Sequence, residues 1–226
     1  MKKLPIGIQS FRNLRNEDYL YVDKTEDVLR MIDSGRVYIL SRPRRFGKSL
    51  LVSTLDELFS GNRPLFEGLY IHDRWDWTQP YPVIRLDWGN VNHATSEEME
   101  YDMADALDEM ARDRQITLNR RYAAGKFGEL IRQLYRQTGR QVVVLVDEYD
   151  MPILDALDKS PEEIKKIRDF LNTFYKVLKS SDDCLRFIFL TGISKFSGVS
   201  IFSALNNPRD ITMDGRYASI CGYTQE

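Results

Sequence analysis

The sequence predicts a three-layer α/β fold, with a mainly parallel sheet of about five strands between helices. Three observations carry that expectation. Short apolar runs alternate along the chain with amphipathic helical patterns, the order that builds right-handed crossovers between parallel strands. The run Val142-Val-Val-Leu-Val146 is apolar at every position, as a strand buried on both faces must be. A third run, Val37-Tyr-Ile-Leu-Ser41, leads into a loop ending Gly47-Lys48-Ser49, after which a helical pattern begins.

The elements follow in order. Residues 1–35 form a leader in which Thr25 is placed to cap a helix. Val28, Leu29 and Ile32 share one face of that helix and Gly35 is its stop signal. The first strand is expected at about 36–41. The helix opened by Lys48 and Ser49 carries Leu51, Leu55, Leu58 and Phe59 on one stripe and ends near Gly61. Tyr81–Trp88 reads as the second strand. Thr95-Ser-Glu-Glu98 is a capping box for a helix that aligns Met99, Met103, Leu107 and Met110. That methionine stripe reads as core packing. Phe127, Leu130, Ile131, Leu134 and Tyr135 mark the helix before the acidic strand.

Ser160-Pro-Glu-Glu163 combines a cap, a proline at the first helical position and a capping-box glutamate. Behind it Ile164, Ile167, Leu171, Phe174 and Leu178 recur at helical spacing. Leu185–Leu190 is a further strand, followed by a Gly/Ser/Asn-rich loop to Pro208. A last strand is expected within Tyr217–Tyr223. The sequence contains no internal repeat and no low-complexity segment.

Composition bounds the function. The 226 residues fit one α/β domain, and a net charge of −2 lacks the basic footprint of a dedicated nucleic-acid binder. Cys184 and Cys221 are far apart and, with only His72 and His93 to join them, have no zinc-site spacing. They read as reduced core thiols of a cytoplasmic protein. Met1-Lys-Lys-Leu-Pro-Ile-Gly7 is not followed by a signal-peptide apolar stretch, and no run approaches the ~20 apolar residues of a membrane span.

The chemistry concentrates at strand ends. In a strand–loop–helix unit, backbone N–H groups at the helix N-terminus point at phosphates, a lysine reaches the outer phosphates and a Ser hydroxyl ligates Mg²⁺. Gly47, Lys48 and Ser49 supply those parts, and Gly47 permits close approach of the backbone. Arg42 stands where the usual pattern has its first glycine, and Arg42→Gly is expected to be tolerated for folding. Arg44 and Arg45 could bracket phosphate oxygens, face solvent or meet a neighbouring subunit's nucleotide. About a hundred residues on, Asp147 and Glu148 end the buried strand, where ligands bind in open α/β sheets. Asp147 suits Mg²⁺, and Glu148 suits a general base that polarises water. Thr191 either contacts the γ-phosphate or the lytic water, or starts a turn with Gly192.

Other features read more plainly. Arg112, Arg114, Arg120 and Arg121 make a basic patch around a turn, read as a solvated helix end, with a nucleic-acid phosphate contact as the other option. Trp75, Trp77 and Trp88 read as packing residues. Lys195 and Ser197 follow the Thr191 strand without a direction fixed by sequence. His93 has no acid–base partner that the sequence identifies.

Leu4-Pro-Ile-Gly-Ile-Gln-Ser-Phe11, Tyr21-Val-Asp-Lys-Thr25, Ser41-Arg-Pro-Arg-Arg-Phe-Gly-Lys-Ser-Leu50, Val146-Asp-Glu-Tyr-Asp150, Thr191-Gly-Ile-Ser-Lys-Phe196 and Cys221-Gly-Tyr-Thr224 together resemble the AAA-ATPase-like family of P-loop ATPases. The resemblance runs over essentially the whole chain, and its loop accounts for Arg42 as a family variant. It implies a P-loop NTPase fold and an ATP·Mg²⁺-binding core. Nucleotide contacts would come from Arg44, Arg45, Phe46, Gly47, Lys48, Ser49 and Leu50, metal contacts from Ser49 and Asp147, and catalysis from Glu148, Lys48 and Thr191. Such cores are usually followed by a helical region and often by a PD-(D/E)XK nuclease-like domain, neither of which is expected within residues 1–226. The expected activity is ATP hydrolysis coupled to conformational output toward a protein partner or within a homo-oligomer. The alternative is a nucleotide-gated module with negligible hydrolysis. A nucleic-acid partner, as in a DNA-acting defence or mobile-element system, follows from family analogy alone.

Overall fold

A computed structural model describes residues 2–194 and 205–222. Its five strands are β1 (Val37–Ser41), β2 (Val83–Asp87), β3 (Val142–Asp147), β4 (Leu185–Gly192) and β5 (Arg209–Asp210). They form one sheet in the order β2-β3-β4-β1-β5, and every neighbouring pair is parallel. The loop-bearing β1 and the acid-bearing β3 are therefore not neighbours. Strand β4 lies between them, pairing Leu40 with Thr191 on one side and Leu145 with Phe189 on the other.

The helices are α1 (Phe11–Asn16), α2 (Thr25–Ser34), α3 (Lys48–Phe59), α4 (Ser96–Arg112), α5 (Ala123–Thr138), α6 (Met151–Leu154) and α7 (Pro161–Ser180). Strand alternation distributes them into two layers. Val142, Val144 and Val146 face a core shared with α4, α5 and α7. Val143 and Leu145 face the opposite core, shared with α1, α2 and α3. All five of these β3 side chains are fully buried, at about 1.5–3 kcal/mol each relative to exposure. The C-terminal end of β3 is thus held by the best-packed strand of the sheet.

The expected leader is packed into the fold rather than strung along it. Phe11 is fully buried, its N–H donates to Ser53 Oγ on α3 at 3.0 Å, and its ring contacts Tyr21 and Phe66. Thr25 does not cap α2. Lys24 occupies that position without a side-chain bond. The Thr25 hydroxyl instead donates to Asp23 Oδ1 and accepts from Ile71 N, because a tertiary partner outcompetes the local cap.

The caps of α4 and α7 form at Thr95 and Ser160 as expected, accepting from Glu98 N and Glu163 N. The Glu163 carboxylate, however, accepts from Ser96 N rather than closing its own box. It ties the starts of two neighbouring helices together. Met99, Met103 and Leu107 are core residues. Trp75 and Trp77 pack on Phe59 and Phe66, while Trp88 is buried with its indole N–H on Tyr175 Oη at 2.7 Å.

The last strand lies elsewhere than expected. β5 is Arg209–Asp210, paired with Tyr38 and Ile39 of β1. Gly215–Tyr217 instead form a single 3₁₀ turn capped by Asp214. Tyr217, Ile220 and Cys221 are buried, and their spacing is that of a turn of helix rather than of an alternating strand. The polar dipeptide Arg209–Asp210 offered no apolar signal. Lys195, Ser197 and most of the Gly/Ser/Asn-rich loop lie outside the described residues.

Candidate functional site

Because all five strands are parallel, the C-terminal ends of β1, β2, β3 and β4 open on the same edge of the sheet, the edge where open α/β sheets take ligands. The loop after β1 delivers α3 to that edge. Gly47 adopts a left-handed φ of 82° as the N-cap of α3 and contributes no side-chain cap. The first turn of α3 thereby presents backbone N–H groups and the positive end of the helix dipole. Lys48, 6 % exposed, folds over the loop and donates to Arg42 O at 3.0 Å and Pro43 O at 3.1 Å.

The acids meet α3 across β4. Ser49, in the first turn of α3, stands close enough to the Asp147 carboxyl to influence its proton affinity. Asp147 is buried, and desolvation pushes its pKa up. The Asp87 charge pushes in the same direction, while Ser49 and Arg85 oppose the rise. Asp87 is the register partner of Asp147 at the end of β2. Glu148 is raised for the same reasons, burial first, then the Asp147 and Asp87 charges, with Lys48 and Arg44 pulling the other way. Lys48, Arg44, Asp147 and Glu148 therefore share one electrostatic environment.

Glu148 is also conformationally unusual, with a φ of 53° on a non-glycine residue. Such a backbone costs of order 1–3 kcal/mol and persists only where its surroundings hold it. Its own N–H donates to Asp147 Oδ1 at 3.1 Å, and Tyr149 N donates to Thr191 O at 3.0 Å.

Arg42 is not a passive replacement for glycine. Its guanidinium donates to Ser41 O at 3.1 Å, Thr212 O at 2.5 Å and Tyr217 O at 3.4 Å. It bolts the loop to the segment after β5, through contacts that Arg42→Gly would remove. The same segment brings Gly222 against the Phe46 ring. It also brings Cys221 close enough for Arg42, Lys48 and Lys24 to oppose the burial that raises its thiol to about 12. Arg44 and Arg45 are exposed, and Leu50 is partly buried against the α3-side core.

Thr191 has a partner other than the expected phosphate or water. It is fully buried, and its Oγ1 donates to Leu40 O at 3.0 Å, clipping β4 to β1. Tyr149 and Asp150, which carried no role in the sequence reading beyond the shared motif, both reach the turn after β4. His93 finds a partner invisible in sequence, Asp155 Oδ2 at 2.9 Å from Nδ1. Arg114 of the basic group donates to Met110 O and Val83 O, a structural use.

The family model described as a predicted AAA-ATPase matches residues 5–202. The chain belongs to the AAA-ATPase-like family. It is 52 % identical over 225 residues to an uncharacterized protein in the vnfD 5′ region of Azotobacter chroococcum mcd 1, covering 99 % of this chain and 43 % of that protein. The chain thus spans less than half the length of this curated relative. A solved structure of Drosophila ORC bound to poly(dA/dT) DNA and Cdc6 aligns with a TM-score of 0.41 and 12 % identity, over 90 % of this chain and 29 % of that one.

Asp87 and the turn that follows it lie at the candidate site of this AAA-ATPase-like chain. Asp87 Oδ1 accepts from Gly89 N at 2.9 Å and Oδ2 from Asn90 Nδ2 at 2.9 Å, holding the turn after β2 beside Glu148. The sequence signal was slight, an acid ending a strand. Among the described residues no three His, Cys, Asp or Glu side chains stand close enough to hold a metal ion unaided. The Ser49 hydroxyl and the Asp147 carboxylate are hard oxygen donors. They suit a cation such as Mg²⁺, which keeps waters and shares substrate phosphates. Among the described residues no helix is long and apolar enough to cross a membrane.

Proposed function

We propose that this AAA-ATPase-like chain is a P-loop core that binds ATP with Mg²⁺ and hydrolyses it. The observation that carries the reading is the convergence of the α3 N-terminus, opened by Gly47, with Asp147 at the end of β3 on one edge of an all-parallel sheet. It brings the phosphate-side helix to the acid-bearing strand across an intervening strand. The α3 N-terminus and Lys48 would neutralise phosphate charge, which is where most of the catalysis in phosphoryl transfer arises. Arg44, Arg45, Phe46, Gly47 and Leu50 line the same loop and would complete the nucleotide contacts. Ser49 and Asp147 would hold Mg²⁺, which would supply positive charge against the negative charge that develops on the phosphates.

Glu148 is the general base of this reading. Burial and the neighbouring Asp147 and Asp87 charges raise its affinity for a proton, as a carboxylate that must accept one from water requires. Thr191 serves the site indirectly, by holding β4 in register between the loop strand and the acid strand. The output would pass to a protein partner or a second copy of the chain.

Isothermal calorimetry and phosphate release with ATP and Mg²⁺ test the reading directly. Micromolar binding with turnover abolished by Glu148→Gln supports the hydrolase. Binding with no turnover would leave a nucleotide-gated module, and no binding would overturn the assignment.

A further inference from the structure

A strained Glu148 needs anchors on both sides. Upstream it has β3 and the Asp147 carboxylate. Downstream, the anchor is Asp150. This side chain is 1 % exposed and reaches across to the turn after β4. Its Oδ2 accepts from Ile193 N at 2.9 Å, Ser194 N at 2.7 Å and Ser194 Oγ at 3.2 Å. A carboxylate accepting several N–H and O–H groups in a buried setting makes bonds about twice as strong as neutral pairs. The Tyr149 hydroxyl adds a bond to Ser194 O at 3.1 Å, and Met151 N closes the turn on Glu148 O at 2.9 Å.

The other oxygen, Asp150 Oδ1, has no hydrogen-bond partner among the described residues and lies against Gly192. A Cβ on Gly192 would overlap that carboxylate and the edge of the Tyr149 ring. The absence of a side chain at 192 is what lets Asp150 reach the turn. Leaving a buried oxygen unpaired is unfavourable, a cost the fold bears to keep the carboxylate in this place.

We propose that Asp150 is a positioning residue for hydrolysis. By fastening the Glu148 turn to the Ile193–Ser194 turn, it keeps Glu148 in its left-handed conformation. The inference rests on the ATPase reading above. The proposed phosphate contacts come from the β1 loop and α3, on the far side of β4, and the proposed metal contact on β3 is Asp147, upstream of the Glu148 turn. Loosening Asp150 should therefore leave binding in place and impair the chemical step.

The test compares Asp150→Ala, Asp150→Asn, Gly192→Ala and Lys48→Ala, measuring ATP·Mg²⁺ affinity, kcat and circular dichroism. Asp150→Ala should lower kcat by ~10²-fold, the cost of a catalytic group misplaced by about 1 Å, with ATP affinity within about threefold of wild type. Gly192→Ala displaces the same carboxylate, together with the Tyr149 ring beside it, without removing either, and should give the same split, should Asp150→Ala fold poorly. Asp150→Asn keeps an acceptor oxygen and should recover about a tenth or more of wild-type kcat. Unchanged kcat in Asp150→Ala and Gly192→Ala, with Lys48→Ala impaired in binding, overturns this inference alone. A parallel loss of affinity and kcat without rescue by Asn makes Asp150 merely structural and also overturns it. Full ATP affinity in Lys48→Ala, or a wild type without turnover, overturns the ATPase reading and this inference with it.

Discussion

A Cβ placed on Gly89 would stand 2.5 Å from Glu148 Oε2. The carboxylate of the candidate base therefore occupies space that only a glycine leaves free at the end of β2. Since β2 and β3 are parallel and register Asp87 against Asp147, the turn after β2 is part of the site. Gly89→Ala should move Glu148 and lower turnover by ~10–100-fold while ATP binding survives. Steady-state kinetics alongside calorimetry would separate the two effects.

Asp87 acts on the same carboxylate through its charge. It is one of the groups that raise Glu148, after burial and Asp147. Asp87→Asn keeps the acceptor for Gly89 N and removes that charge, so the Glu148 pKa should fall. A base works only when deprotonated, and a lower pKa keeps it deprotonated further into acid. The acid limb of the pH–kcat profile should move to lower pH in Asp87→Asn. A limb that stays in place would mean that Glu148 does not govern it.

Glu148 and Asp147 should respond differently to loss of charge. Glu148→Gln keeps shape and removes the base, so ATP should still bind while phosphate release falls by ~10²–10⁴-fold. Asp147→Asn replaces a hard anionic donor by a neutral one and should weaken Mg²⁺-dependent ATP binding by about tenfold or more, 1.4 kcal/mol per decade. Titrations with and without Mg²⁺ distinguish the two variants.

Lys48→Ala should weaken ATP binding by about 10–100-fold, the worth of a charge-assisted contact. Its circular dichroism should be unchanged, because the two carbonyls that Lys48 now satisfies, Arg42 O and Pro43 O, sit on a loop and can turn to water.

Arg42→Gly should be felt as lost stability. Three carbonyl contacts disappear, two of them to the segment after β5. For bonds from a charged donor the cost is about 2–3 kcal/mol, or a fall of about 4–12 °C in Tm at this chain length. Arg42→Lys should recover little, since one ammonium cannot span carbonyls that a planar fork reaches together. Thermal melts of the three proteins would check it.

The sequence by itself determined what is local. Hydrophobic period placed β1, β2, β3, β4 and the long helices, because burying a face leaves its period in the residues. Thr95, Ser160 and Pro161 marked helix starts, because a cap is satisfied within one turn. Loop and acids were recognisable because Gly47-Lys48-Ser49 and Asp147-Glu148 are contiguous.

Only the tertiary structure decided what depends on which strand lies beside which. β4 between β1 and β3 brings Ser49 to Asp147, and β2 beside β3 brings Asp87 and Gly89 to Glu148. The reach of Arg42 to Thr212, of Asp150 to Ser194 and of Thr191 to Leu40 follows from the same order. Apart from Ser49 and Asp147, which the family resemblance already assigned to one metal, none of these pairs leaves a trace in sequence, because a contact between residues tens of positions apart imposes no period and no local motif. β5 escaped for a related reason: two polar residues at a sheet edge bury too little apolar surface to announce a strand.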